Sequence, residues 1–164
     1  MTLNQTNYRD NLQNFIEKIK TSIVARIIFH IDKNPTFDKK SIPFDFNYCY
    51  SITVITNEES FEIIPSMTEG GFETFWVRPA ELSKDTSNCL ELNSKVKGVY
   101  LYDGYDKYAF KIKIEFESNL IFLYSSDLYN NANGGIDYKI NDEMILTFSN
   151  ENEADKFESI INFT

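Results

Sequence analysis

Glycine and proline are scarce in this 164-residue chain, six and four respectively, histidine occurs once, and cysteine twice. Few glycines and prolines, with an ordinary apolar fraction, argue against a disordered or low-complexity chain. A single histidine, His30, excludes a metal site built on two imidazoles and leaves any Ser-His-Asp arrangement with one possible base. His30 lies between Phe29 and Ile31, so a structural role on the opposite face of a buried strand is expected. Cys49 and Cys89 stand outside any CxxC or Cys/His spacing, offer no zinc or redox motif, and read as two buried free thiols. A Cys49–His30 pair stays open, because such pairs form in space and not along the chain. The N-terminus lacks a basic segment followed by an apolar one, and the most apolar run, SIVARIIFHI, is interrupted by Arg26 and His30. No GxGxxG or GxxxxGK[ST] occurs and the basic residues do not cluster, which disfavours nucleotide and nucleic acid as ligands. The expectation is a soluble, cytoplasmic protein with no cofactor, no metal and no membrane partner.

Aromatic residues, by contrast, are abundant: 14 Phe and 10 Tyr bring the aromatic share to 15%. Such side chains suit a pleated, half-buried surface, so a strand-rich fold is expected. The length fits one domain over residues 1–164, able to bury about 70% of its unfolded surface. The net charge of −9 is unevenly placed: residues 1–114 carry fourteen basic against fifteen acidic side chains, whereas residues 115–164 set Lys139 and Lys156 against ten acids. An acidic field of this kind repels nucleic acid and anionic membrane and attracts a cation or a basic protein.

Leu12, Phe15, Ile16 and Ile19 recur at helical spacing and predict an amphipathic N-terminal helix. IVARIIFHI then reads as a buried strand, and DKNPTFDKKSIPFDF as a polar surface connection. YCYSITVIT and FEIIPSM, separated by NEES, predict an antiparallel hairpin, and FETFWVR a further strand. PAELSKDTSNCLELNSKV is expected to be a mixed connection with a helical turn around residues 80–82. Five strand-like runs follow: KGVYLYD, YAFKIKIEFE, LIFLYSS, IDYKI and EMILTFS. In the second of these, Phe110, Ile112, Ile114 and Phe116 are expected on one face and Lys111, Lys113, Glu115 and Glu117 on a wet one. Asn150 is placed to cap a closing helix, with Glu153 three residues on and Ala154, Phe157, Ile160 and Ile161 as its buried stripe. The fold class is α+β: a meandering antiparallel β-sheet with N-terminal and C-terminal helices.

The stretch SSDLYNNANGGIDYKINDE has the composition of a calcium loop but not its spacing. With Gly134 or Gly135 at the sixth position of an EF-hand loop, the twelfth falls on Ile140 or Asn141, so the bidentate acid is missing. Asn131, Asn133, Gly134 and Gly135 tolerate positive φ, and a hairpin loop is predicted instead. Glu58 with Glu59, Glu115 with Glu117, and Asp142 with Glu143 are neighbouring carboxylates, but spacing alone does not place two acids across a cleft for glycoside hydrolysis. No catalytic residue is assigned. Tyrosine beside carboxylate suits a protein interface, since Tyr gives area and a hydrogen bond while acids pair with a partner's Arg or Lys. The candidate partner-binding residues are Tyr100, Tyr102, Asp103, Tyr105, Asp106, Asp127, Asp137, Asp142 and Glu143.

The run YAFKIKIEFESNLIFLYSSDLYNNANGGIDYKINDEMILTFSNENEADKFE, a strand pair, a polar loop, the DEMILTF strand and an acidic closing helix, resembles the small acidic bacterial immunity proteins of polymorphic toxin systems. The resemblance covers about the last 65 residues and carries no motif by which a functional residue could be transferred. It implies a cytosolic α+β protein that neutralises a cognate toxin by binding it. A non-enzymatic binding protein with a basic partner is thus the leading expectation. The alternatives are a small-ligand or carbohydrate-binding domain using Trp76 and the tyrosines, and a hydrolase built on unrecognised carboxylates.

Overall fold

The computed structural model describes residues 2–81 and 88–161. Helix α1 (Gln5–Lys20) opens on a reciprocal cap in which Asn4 and Asn7 each accept the other's backbone N–H, and it buries Tyr8, Leu12, Phe15, Ile16 and Ile19. The strands are β1 (Ile23–Ile31), β2 (Asn47–Thr56), β3 (Ser60–Met67), β4 (Glu73–Pro79), β5 (Cys89–Asp103), β6 (Ala109–Phe116), β7 (Leu120–Asn130), β8 (Ile136–Ile140) and β9 (Met144–Phe148); α2 (Glu151–Ile160) follows. All strand pairings are antiparallel. The sheet runs β1-β5-β6-β7-β9-β2-β3-β4, and β1 also pairs with β2, so six strands form a closed ring. Outside that ring, β3 and β4 continue from β2, and β8 folds back on β7. Two helices at the ends of the chain and a large antiparallel sheet make this an α+β fold.

Two apolar clusters hold these elements. One packs α1 against Ile27, Ile52, Ile63, Phe75, Ile112 and Leu123. The other sets α2, through Ala154 and Phe157, over Phe122, Tyr124, Leu146 and Phe148. The connection 32–46, expected to stay on the surface, sends Phe37, Ile42, Phe44 and Phe46 into this second cluster. Its charged residues mask an aromatic lid: Phe44 lies 5.5 Å from the Phe157 ring and 5.6 Å from Phe148.

Four further expectations change. Tyr102 pairs with Lys111 but Asp103 with Ala109, so Phe110 is an extra residue in β6, and this bulge turns its ring into the second cluster, away from Ile112 and Ile114. The supposed wet face is half covered: Lys111 is only 8% exposed and donates to Glu158 of α2 at 2.8 Å. Ile160 is exposed, leaving Ala154, Phe157 and Ile161 as the buried stripe, while Asn150 caps α2 by accepting from Asn152 and Glu153 N–H. Glu153 does not close a capping box; its carboxylate accepts from the Asp45 N–H at 3.1 Å and binds Lys156. The helical turn expected around residues 80–82 lies partly outside the described residues; Ala80 N–H donates to the Ser60 carbonyl and extends the β3–β4 ladder. Among the described residues, no helix is long and apolar enough to cross a membrane.

Candidate functional site

The 131–135 connection is the predicted hairpin loop. Asn131 accepts the N–H groups of Asn133 and Gly135 on its side-chain oxygen, Gly134 takes φ +78°, and Asn131 N–H closes on the Gly135 carbonyl. The hairpin projects β8 beside a second turn at residues 141–143, whose pivot is Asn141. This residue is 3% exposed with φ +53°, a left-handed conformation that asparagine tolerates. Its amide donates to Ala109 O, its side-chain oxygen accepts from Tyr105 N, and its carbonyl accepts from Glu73 N at 2.9 Å. One residue thereby joins β4, the 104–108 turn and the end of β8.

These elements enclose an open cleft of about 510 Å³. Its walls are the β3–β4 turn (Met67, Gly71, Phe72, Glu73), Tyr105, all of β8, the 141–143 turn and Ile160. Among the described residues, Glu73, Asp137, Asp142 and Glu143 give it four carboxylates against the single ammonium of Lys139. Lys139 is partly engaged, with its Nζ 4.8 Å from the centre of the Tyr129 ring. Burial raises the Glu73 carboxyl above the ordinary range, and the charges of Glu143, Asp142 and Asp127 raise it further. Its Oε2 is buried without a hydrogen-bond partner. The cleft is therefore short of positive charge at its floor.

Of the nine sequence-predicted residues, Tyr105, Asp137, Asp142 and Glu143 line this cleft. Asp127 does not lie on the rim with them: it is 6% exposed, accepts from the Tyr48 hydroxyl and the Leu128 N–H, and is raised chiefly by its own burial. The same burial, with Asp127 beside it, pushes the Tyr48 hydroxyl up. Tyr100 and Tyr102 sit apart on β5, 46% and 39% exposed, over Lys113 and Lys111. Asp103 and Asp106 are exposed at the turn between the two groups. Sequence reasoning missed Glu73, although an acid in register with Phe75 and Val77 on one strand face was a signal that it was held for something other than solvation.

The other candidates separate. His30 Nε2 lies 2.8 Å from the Thr53 hydroxyl on a polar concavity that also holds Ser51 and the Arg78–Glu62 ion pair, with Nε to Oε2 at 3.1 Å. Cys49 belongs to the first apolar cluster, where burial pushes its thiol up to about 12, so His30 and Cys49 are engaged in different environments. Cys89 is only half-buried, against expectation, with its Sγ 3.4 Å from Glu91 Oε1. Trp76 packs on the first cluster and does not join the exposed tyrosines. Among the described residues, no three His, Cys, Asp or Glu side chains are grouped to hold a metal ion.

Neither a family model, nor a curated protein, nor a solved structure matches this chain.

Proposed function

We propose that this chain is a binding protein whose acidic cleft captures a basic protein, in the manner of an immunity protein that neutralises a cognate toxin in the cytoplasm. The observation that supports it is that Glu73, Asp137, Asp142, Glu143 and Tyr105 line one open cleft whose only basic side chain among the described residues is Lys139. Glu143 and Asp142 repel the ionised Glu73 carboxylate. A partner's lysine or arginine relieves that repulsion, which speeds encounter and fixes register. The exposed Tyr100 and Tyr102 extend the contact surface along β5.

The test is co-expression with the protein encoded beside this one. The partner should be basic, should arrest growth alone and should be tolerated with the wild-type chain, and the charge-reversed D137K/D142K/E143K variant should lose that protection. Protection that survives charge reversal would sink the proposal. A hydrolase is the second reading, favoured by the raised Glu73 carboxyl beside the charged Asp142 and Glu143, an arrangement that suits a general acid. A Glu73→Gln variant that still protects separates binding from hydrolysis.

A further inference from the structure

Two strands, β4 and β8, have a strand neighbour on one side alone among the described residues. Their free edges are treated differently. On β4, the Asn11 side chain donates to the Val77 carbonyl at 2.7 Å and accepts its N–H at 2.9 Å, while Glu73 N–H donates to Asn141 O. That edge is plugged by side chain and turn, the usual defence against unwanted pairing.

Among the described residues no side chain plugs the β8 edge along Ile136 and Tyr138, whereas Ile140 at its end is only 4% exposed. Asn131 N–H bonds Gly135 O at one end of the β7–β8 pairing, and Asn141 N–H bonds Ser125 O at the other. The register between them is unbroken, with Asp127 opposite Lys139 and Tyr129 opposite Asp137. Hydrogen-bonded pairs alternate along an antiparallel ladder, so Asp137 and Lys139 turn their backbone groups to β7. Ile136, Tyr138 and Ile140 turn their N–H and C=O groups outward, and all three line the cleft. The side chains divide the same way. Ile136, Tyr138 and Ile140 belong to the second apolar cluster, whereas Asp137 and Lys139 are exposed on the other face, where Asp142 and Glu143 act on Tyr129.

Resting on the acidic-cleft proposal, we infer that the partner enters as an extended segment that adds a strand to the free edge of β8. An added antiparallel strand would place every second residue opposite Ile136 and Tyr138, bonding their outward backbone groups and continuing the apolar face. The residues between would project onto the face of Asp137, Asp142 and Glu143. The segment that fits is an alternation of apolar and basic residues, with backbone bonds supplying affinity and the alternate side chains supplying specificity.

The probe is a short end-blocked peptide of alternating valine and lysine, compared with two versions of equal charge, one N-methylated on the valines and one on the lysines. The valine amides are those that face β8, so methylating them should weaken binding by at least about tenfold, while methylating the lysines should leave it near the parent value. Amide exchange at Ile136 and Tyr138 should slow at least about tenfold in the complex saturated with the parent peptide. Ile136→Pro, which removes an outward N–H at the first residue of an edge strand, should weaken binding where Ile136→Val does not. If the valine-methylated peptide binds as well as the parent, or the two amides exchange unchanged in the parent complex, strand addition is overturned while the acidic cleft stands. If none of the three peptides binds, both are overturned.

Discussion

Asn11 on α1 and Val77 on β4 exchange both hydrogen bonds that a neighbouring strand would make, at 2.7 and 2.9 Å. A short side chain thus ends the sheet at β4. Asn11→Ala leaves the Val77 N–H and carbonyl without partners, and stability measured by urea denaturation should fall by about 1–3 kcal/mol. The opened edge should also self-associate in sedimentation, and a variant that stays monomeric with unchanged stability would show that Asn11 is dispensable.

Lys111 ties β6 to α2. Its ammonium lies 4.4 Å from the centre of the Tyr102 ring and 2.8 Å from Glu158 Oε1, with most of its side chain out of solvent. Glu158→Ala should cost about 1–3 kcal/mol, because a mostly buried ammonium loses its carboxylate. Replacing both partners by apolar residues, Lys111→Met with Glu158→Leu, should recover most of that loss. Equal costs for the single and double changes would contradict the pairing.

Gly104 packs against Asn141 so closely that an added Cβ would clash with Asn141 Oδ1. Gly104→Ala should displace Asn141, loosen the wall of the cleft at Tyr105 and cost about 1–3 kcal/mol by overpacking. Thermal denaturation gives the stability, and loss of partner binding beyond the unfolded fraction reports the cleft.

Stability should respond to pH through Glu73. Its native carboxyl titrates above the ordinary range, mainly from burial and then from Glu143, Asp142 and Asp127. The native state therefore binds more protons than the unfolded chain. Glu73 favours folding least at neutral pH, and its contribution declines as pH rises from about 4.3, the unfolded value, through its raised native value. Glu73→Gln should gain melting temperature over wild type across that window and differ little below it. A constant difference at all pH values would contradict the assignment.

The architecture was legible because most segments obey one rule at a time. Ile112 and Ile114 alternate with Lys113 and Glu115, and Leu12, Phe15 and Ile19 recur at helical spacing, so period alone identifies β6 and α1. Failures came where a local irregularity or a distant neighbour decided the outcome. The bulge at Phe110 leaves no mark in a run of alternating residues, and Lys111 reads as solvated until α2 brings Glu158 over it. Phe37, Ile42, Phe44 and Phe46 are diluted by lysines, aspartates and prolines, which hides a segment that covers β9 and α2. The cleft was half legible: charge density picked out Asp137, Asp142 and Glu143, but Glu73 arrives from a strand far off in sequence, and Asp127 is withdrawn by Tyr48.

In the proposed binding mode, the negative charge around β8 captures a basic segment. The direct measurement is the affinity of the valine–lysine peptide for wild type and for D137N/D142N/E143Q across a range of salt concentrations. Wild-type affinity should fall steeply with salt, and the neutralised variant should bind at least about tenfold more weakly at low salt with a flatter dependence. Equal affinity and equal salt dependence in the two proteins would contradict the account.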